Sequence, residues 1–447
     1  MTLSSVVNMS SAFHFQSSLL APTRPRLNRQ VLDPLKRRRN DDRIQKHHVM
    51  TYKHKLTALS ATTSHANVAD NEESEDNFIY TTLDDEIIID NSTVPTSRNL
   101  QHVLHTIERA AYTASKIALA TSGQIAVQST KANLRDLVTE SDVRCQQVIK
   151  EILLEEFPRD LFLGEEDVDL SGGIEGGNGG GSGDSSVSSS AALKAVLFGG
   201  ASSSSSSASS SSNEDVPEDE DRLVFIVDPI DGTTNFQAGL PIYAMSIGVV
   251  ALPSSSSSSP EVVAGVIYNP ALGEMTSAVR GRGCYLNNRR IQPPQSQQQQ
   301  HLPPRTSILN QSLINVGFPI SKESTLLASS KAVTALATKV RGLRMVACAS
   351  QAMAWVAQSK LSAYFSWDLN GWDVAAGIVI VEESGGLVSK MVVNDEEDDG
   401  SGSSSSSRAG VETRDMIITC PCERRGEEGL LRDELIEVLK ENDCLEY

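Results

Sequence analysis

The sequence has no CxxC pair; its six cysteines stand scattered at 145, 284, 348, 420, 422 and 444. A structural zinc site or a dithiol redox motif needs closely paired cysteines, and Cys420-Pro-Cys422 is too isolated to supply one. Reduced thiols are the simple reading. No apolar run reaches the length that crosses a bilayer, so a membrane role is set aside. A basic excess is also missing. The 57 acidic residues outnumber the 39 basic ones, and the formal net charge of −18 excludes the basic face that nonspecific nucleic-acid binding requires. The eight histidines show no catalytic pairing, and the calcium loop of an EF-hand is absent. Aromatic residues are sparse at 5%, and Trp355 and Trp367 read as core. Acidic residues are themselves absent before Asp33, while Ser, Thr and Arg are frequent there and Lys36-Arg37-Arg38-Arg39 follows. That composition suits a transit peptide, for a plastid first, with the mitochondrion or a cytoplasmic protein with a basic tail as alternatives.

What is present alternates between core-forming segments and low-complexity tracts. Poly-Ser, Gly/Ser and poly-Gln runs lack the apolar surface to offset chain-ordering entropy, which leaves about 260 residues to build a core. The pattern divides the chain into a leader at 1–96, an α+β half at 97–290 with an insert at about 169–221, and an α/β half at 291–447 with inserts at about 293–304 and 394–410. Apolar spacing predicts helices over His102–Thr121 and Asp142–Phe157, and a short strand at Leu161–Leu163. The continuous apolar run Leu223–Val227 predicts a buried strand, and further strands follow at Ala244–Leu252, Val262–Tyr268, Met275–Val279 and Cys284–Leu286. In the second half, helices are predicted over Thr325–Val340, Ser350–Lys360, Trp372–Glu383 and Leu430–Glu441. Strands are predicted at Ser312–Val316, Ala363–Phe365, Leu387–Met391 and Met416–Thr419. Mixed strands and helices give a layered α+β or α/β class. Within the first insert only Ala191–Phe198 is apolar enough to order, and deletion of 172–212 is expected to leave activity largely unchanged.

Three acidic clusters each follow a structured element. They are Glu165-Glu166-Asp167, the pair Asp228 and Asp231, and Asp373 behind Trp372. In the second cluster a buried strand delivers two carboxylates at i and i+3. Pro229 fixes the backbone between them, and Gly232 permits a tight bend. Thr233, Thr234 and Asn235 then present hydroxyl and N–H donors. Hard oxygen ligands for a divalent cation beside a donor-rich turn for an anion are the two things phosphoryl transfer needs. An isolated Asp at such a place is usually an N-cap; the whole nonapeptide is not explained that way.

The run Asp228-Pro229-Ile230-Asp231-Gly232-Thr233-Thr234-Asn235-Phe236 resembles the signature of the inositol monophosphatase family, magnesium-dependent and lithium-sensitive phosphatases. Trp372-Asp373-Val374-Ala375-Ala376-Gly377, followed by Glu383-Ser384-Gly385-Gly386, resembles its second signature. Asp136-Leu137-Val138-Thr139-Glu140-Ser141-Asp142 and Gly164-Glu165-Glu166 are similar to two weaker motifs, in the expected order. The resemblance implies an αβαβα sandwich and a homodimer. It also implies a site in which Glu165, Asp228 and the Ile230 carbonyl hold one magnesium while Asp228, Asp231 and Asp373 hold a second, with Glu165 serving a weaker third. Thr233 and Asp142 would polarise the attacking water, with Glu165 the third catalytic residue, and Gly232, Thr233 and Thr234 would grip the phosphate. Lys131 corresponds to a lysine near the family's active site; by itself it also reads as a solvated surface charge.

On the substrate side the pattern departs from the family. A sugar-reading glutamate is replaced by Ser366, with Asp368 two residues on as a compensating candidate. The family's Gly-Ser-Ala-Ala stretch is Ala347-Cys348-Ala349-Ser350, with Ala349 facing the substrate. The resemblance therefore implies hydrolysis of a small phosphomonoester by metal-activated water, with inositol monophosphate or a related polyol phosphate first. Fructose 1,6-bisphosphate or histidinol phosphate would be the alternative substrate on the same fold. A non-catalytic scaffold is the reading from another class, and the retained set Glu165, Asp228, Asp231, Thr233 and Asp373 speaks against it.

Overall fold

The computed structural model describes residues 96–124, 129–130, 137–169, 173–174, 189–198, 221–252, 259–292, 308–319, 322–391, 408–421 and 430–445. All of them lie in one unit, Asn77–Tyr447. Lys131 and Asp136, the leader, and the tracts at 293–304 and 394–407 lie outside the described residues.

The chain enters through α1 (Leu100–Thr121), whose first turn is capped by the Asn99 side chain accepting from His102 N at 3.2 Å. Val103, Leu104, Ile107, Ala110, Ala111 and Ala114 recur at helical spacing and are all buried. A two-residue pair, β1 (Ser129–Thr130) with β2 (Leu137–Val138), leads into α2 (Glu140–Glu156), which packs beside α1. Strand β3 (Leu161–Gly164) runs into a 3-10 turn at Glu165–Asp167 and a short pair, β4 (Val168–Asp169) with β5 (Gly173–Ile174). Helix α3 (Ser189–Phe198) follows, then β6 (Arg222–Asp231), α4 (Thr233–Gln237), β7 (Ala244–Leu252), β8 (Glu261–Asn269), β9 (Glu274–Val279), β10 (Gly283–Leu286) and β11 (Arg289–Arg290). These strands form a seven-stranded sheet in the order β11-β10-β9-β8-β7-β6-β3, antiparallel except for the parallel pair β3 and β6.

The strand period sorts the side chains of this sheet onto two faces. Leu223, Phe225 and Val227 of β6 with Ile247 and Val249 of β7 pack against α1 and α2. Val224 and Ile226 with Ala244 and Val250 face the other way, towards α6 (Ala349–Ala357) and α7 (Gly371–Glu383). Both faces are covered, which is why β6 reads as an unbroken apolar run rather than an alternating one.

A second sheet closes the other side of α6 and α7. It comprises β12 (Leu313–Val316), β13 (Gly342–Arg344), β14 (Ala363–Ser366), β15 (Leu387–Lys390) and β16 (Met416–Thr419), in the order β13-β12-β14-β16-β15. Tyr364, Met416 and Ile418 face α6 and α7. Ala363, Phe365 and Ile417 face α5 (Glu323–Leu336) and α8 (Leu430–Glu441), which supply Ala328, Ala332, Leu336, Leu431, Leu435 and Leu439. The layers therefore run helix, sheet, helix, sheet, helix, the αβαβα sandwich that the resemblance implies.

Within the insert at 169–221 the segment expected to order, Ala191–Phe198, forms most of α3, and its Leu193 and Leu197 are buried in the inter-sheet core. Leu193 Cδ2 stands 2.6 Å from where a Cβ on Gly371 would sit, at the first residue of α7. Burying a leucine stabilises by about 1.5–3 kcal/mol, so deletion of 172–212 removes packing against the helix that carries Asp373. The short apolar segment is visible in the sequence; its docking site, made by residues far along the chain, is not.

Helix α7 is held unusually close to the first sheet. Gly248 of β7 and Gly265 of β8 are register partners, and both lie under it. A Cβ on Gly248 would stand 2.5 Å from Ala375 Cβ and 2.7 Å from its carbonyl carbon; one on Gly265 would stand 2.8 Å from the Ala376 carbonyl oxygen. The paired glycines form a trough in which helix backbone meets sheet backbone. At its far end Glu383 accepts from the backbone N–H groups of Gly281 and Gly283, at 2.9 Å each, pinning α7 to the β9–β10 turn.

Candidate functional site

The DPID run is not a loop after the strand, as its sequence suggests, but the bulged end of β6 itself. Asp228 pairs with Ser246 and Asp231 with Ala244, so three steps on β6 oppose two on β7. Pro229 has no N–H to give the ladder, and a bulge is where a sheet tolerates it. The Ile230 N–H donates to Asp228 Oδ1 at 3.1 Å, a local turn that fixes the carboxylate. Asp228 and Asp231 are 2% and 8% exposed.

Gly232 then turns the chain into α4 with φ +85°. A Cβ there would stand 2.9 Å from the Ile242 carbonyl oxygen, so both conformation and space demand glycine. Thr233 and Thr234 open the helix, where the first N–H groups have no intrahelical acceptor. The Thr233 hydroxyl lies 3.2 Å from the Ile230 carbonyl oxygen and 3.4 Å from Asp142 Oδ1. The structure thus brings together Asp142 and Thr233, which are 91 residues apart in sequence.

Asp142 is placed by a reciprocal cap on α2. Its Oδ2 accepts from Thr139 N at 2.9 Å and from the Thr139 hydroxyl. Asp373 occupies the same third position of α7, and its Oδ2 accepts from Asn370 N at 2.7 Å. Glu165 stands in the 3-10 turn after β3, half-buried, and the next N–H, that of Glu166, donates to Gln146 Oε1 of α2 at 2.9 Å. Asp142 and Asp373 are therefore each anchored by the start of the helix that delivers them.

Electrostatics tie the acids to one neighbourhood. Burial pushes the Asp231 carboxyl above its ordinary value; hydrogen bonds from Ser350 and Cys348 pull it back, and the Glu165 charge raises it further. Tyr364, buried in β14, is raised by burial first and then by the charges of Asp231 and Asp373. Buried like charges of hard oxygen chemistry are what a divalent cation neutralises, so the donor set fits one. Among the described residues no group of three or more His, Cys, Asp or Glu is arranged to hold a metal ion by itself. The fit is therefore one of chemistry.

The substrate-side candidates fare differently. Ala349 opens α6, half-buried. Ser366 is 4% exposed and donates to the Trp367 carbonyl at 3.1 Å. Asp368, with φ +55°, has a side chain only 4% exposed; its Oδ1 accepts from Lys322 Nζ and Arg414 Nε at 3.0 Å each. Those two bonds tie that carboxylate to the β14–α7 connection. Asn235 bridges the two halves. Its Nδ2 donates to the Ile242 and Val346 carbonyls at 2.8 Å each, and the Ala347 carbonyl is 3.3 Å away. Ala347 itself has φ +52° where the family motif has glycine, a conformation that costs about 1–2 kcal/mol for a residue with a Cβ. Nothing local in the sequence marks Ser350, Cys348 or Tyr364 as neighbours of the acids; only the altered Gly-Ser-Ala-Ala stretch points towards the first two.

Five layers with an acidic, donor-rich site at the bulged end of β6 are the arrangement that the resemblance to the inositol monophosphatase family implies. The model of the inositol monophosphatase family matches residues 99–407, and the chain belongs to that family, whose members are phosphomonoesterases. The chain is 30% identical over 248 residues to an inositol monophosphatase of Mesembryanthemum crystallinum, covering 55% of this chain and 70% of that one. It is 34% identical over 160 residues to the Nus factor SuhB of Xylella fastidiosa, covering 36% of this chain and about half, 52%, of that one. The structure of the extragenic suppressor protein suhB from Bartonella henselae superposes with a TM-score of 0.51 at 23% identity, covering 76% of this chain and 98% of that one.

Proposed function

We propose that this protein hydrolyses a small phosphomonoester, inositol monophosphate or a related polyol phosphate, with magnesium as its cation. The observation that carries the reading is the approach of the Thr233 hydroxyl to Asp142 Oδ1 at the bulge that bears Asp228 and Asp231. Glu165, Asp228, the Ile230 carbonyl, Asp231 and Asp373 are the oxygen donors that would hold two or three magnesium ions. When bound, the cation supplies charge neutralisation and a more acidic water. The residues of the chain do the rest. The Thr233 hydroxyl and Asp142 orient the attacking water, with Asp142 Oδ1 as the acceptor for its proton. The first N–H groups of α4, from Gly232 to Thr234, hold the phosphate oxygens in line. Attack by water requires no Ser or Cys nucleophile; Cys348, the cysteine beside Asp231, is buried and its thiol is pushed well above its ordinary value by burial and then by Asp231.

The test is phosphate release from a panel of esters: myo-inositol 1-phosphate, fructose 1,6-bisphosphate, histidinol phosphate and a 3′-phosphonucleotide, each with magnesium, EDTA or lithium. Release from the inositol ester that magnesium supports and EDTA abolishes is the expected result, with inhibition by lithium. Release from another ester alone would move the specificity, and release from none would favour a scaffold role. A plastid location is the companion proposal, resting on the acid-free, Arg- and Ser-rich opening of the chain. Fluorescent protein fused behind the first 60 residues should enter plastids, and a diffuse cytosolic signal would reject it.

A further inference from the structure

We infer that Ser350 is a positioning residue for Asp231. With two donors on one carboxylate oxygen, it fixes which oxygen the cation meets. The inference rests on the cation reading above and deepens it. Ser350 is the second residue of α6 and is fully buried. Its backbone N–H and its hydroxyl both reach Asp231 Oδ2, each at 2.6 Å. The Cys348 thiol adds a third, weaker donor to the same oxygen at 3.3 Å. No hydrogen bond among the described residues falls on Oδ1 of Asp231. Two short bonds from one residue to one oxygen fix the rotation of the carboxylate, as a single bond would not. Bonds to an ionised acceptor are about twice as strong as neutral ones.

Where the family motif reads Gly-Ser-Ala-Ala, the chain reads Ala347-Cys348-Ala349-Ser350, so a thiol at the second place and a hydroxyl at the fourth both reach the carboxylate. A partner that orients a cation-binding carboxylate influences affinity for the cation without touching it. A purely structural serine at this place would satisfy a buried acid and leave cation affinity unchanged.

The experiment titrates magnesium calorimetrically into the metal-free full-length protein without any ester, for wild type and for Ser350→Ala, Ser350→Cys and Ser350→Thr. Alanine removes the hydroxyl donor; cysteine keeps the size but donates weakly; threonine keeps the hydroxyl. Magnesium affinity is expected to fall by about tenfold or more for alanine and cysteine and to stay within about threefold of wild type for threonine. In turnover, the magnesium concentration for half-maximal rate should rise more than the KM for the ester. Thermal melting of the metal-free proteins verifies folding, and the cysteine variant carries the comparison if alanine does not fold. Wild-type affinity in the alanine and cysteine variants would overturn the inference while leaving the cation reading intact. Threonine as weak as alanine would overturn it too, because the loss would then follow the substitution and not the hydroxyl. A wild-type protein that takes up no magnesium would sink the cation reading, and the inference with it.

Discussion

Asp231→Asn should lower kcat by about a thousandfold or more while the protein stays folded. Asparagine has the size and shape of aspartate, and its amide oxygen can take the place of Oδ2 as acceptor for the Ser350 N–H and hydroxyl. The bonds that serve the fold are then kept. What changes is the other terminal atom, which becomes an NH2 donor where a cation needs an acceptor. Loss of one ligand to a charge-neutralising cation removes several kcal/mol of transition-state stabilisation, which is the basis of the expected loss. The metal-free stability should move the opposite way. Burial raises the Asp231 carboxyl, so at neutral pH the charged form opposes folding, and a neutral amide removes that opposition. Kinetics in saturating magnesium and melting in EDTA measure both effects. A kcat within about tenfold of wild type would remove Asp231 from the cation site.

Much of this site is legible in the sequence, because the signature residues do local jobs that leave a local pattern. Pro229 marks a bulge, Gly232 a left-handed turn, and Thr139 with Asp142 a reciprocal cap; each is a sequence-adjacent device. The same holds for the secondary structure. Ala244–Leu252, Met416–Thr419 and Leu430–Glu441 have the expected bounds, and the helix expected at His102–Thr121 begins slightly earlier, at Leu100. Strand β6 runs on past the expected Val227 to Asp231 because acidic residues end an apolar run without ending the ladder. The three-residue edge strand β13 is too short to show a period.

What stays hidden depends on pairs distant in sequence. The Ser350 donors reach back 119 residues to Asp231, and Arg414 neutralises Asp368 from 46 residues away. Nothing near Asp368 distinguishes an acid that reads a substrate from one that staples a connection. Likewise Leu193 lies in a short apolar segment between polar tracts, and its value to the fold comes from Gly371 and the inter-sheet core. The family motif locates the acids; it does not say what holds them.

The Gly248–Gly265 trough is the largest such hidden feature, and it carries the second prediction. Gly248→Ala should destabilise the protein by about 2–4 kcal/mol, at or above the usual range for overpacking. The atoms in the way are the Ala375 Cβ and carbonyl carbon and the Ala376 nitrogen, at 2.5–2.7 Å, and backbone cannot swing aside as a flexible side chain can. The helix must lift or the sheet must bend. Glu383 pins the far end of α7 to the β9–β10 turn, so the near end, with Asp373 at its third position, takes the displacement. A shift of about 1 Å in a reacting group can cost about a hundredfold in rate, so kcat should fall by about that factor in whatever fraction remains folded. Gly342→Ala is the control. Gly342 lies in β13, and the nearest atom to its added Cβ is the end of the Leu313 side chain at 3.4 Å, so its cost should stay below about 0.5 kcal/mol. Denaturant melts and turnover of both variants decide the matter. Equal stability for the two would mean that α7 does not depend on the trough. A destabilised Gly248→Ala with unchanged kcat would mean that Asp373 is held by its cap with Asn370 and not by the seat of the helix.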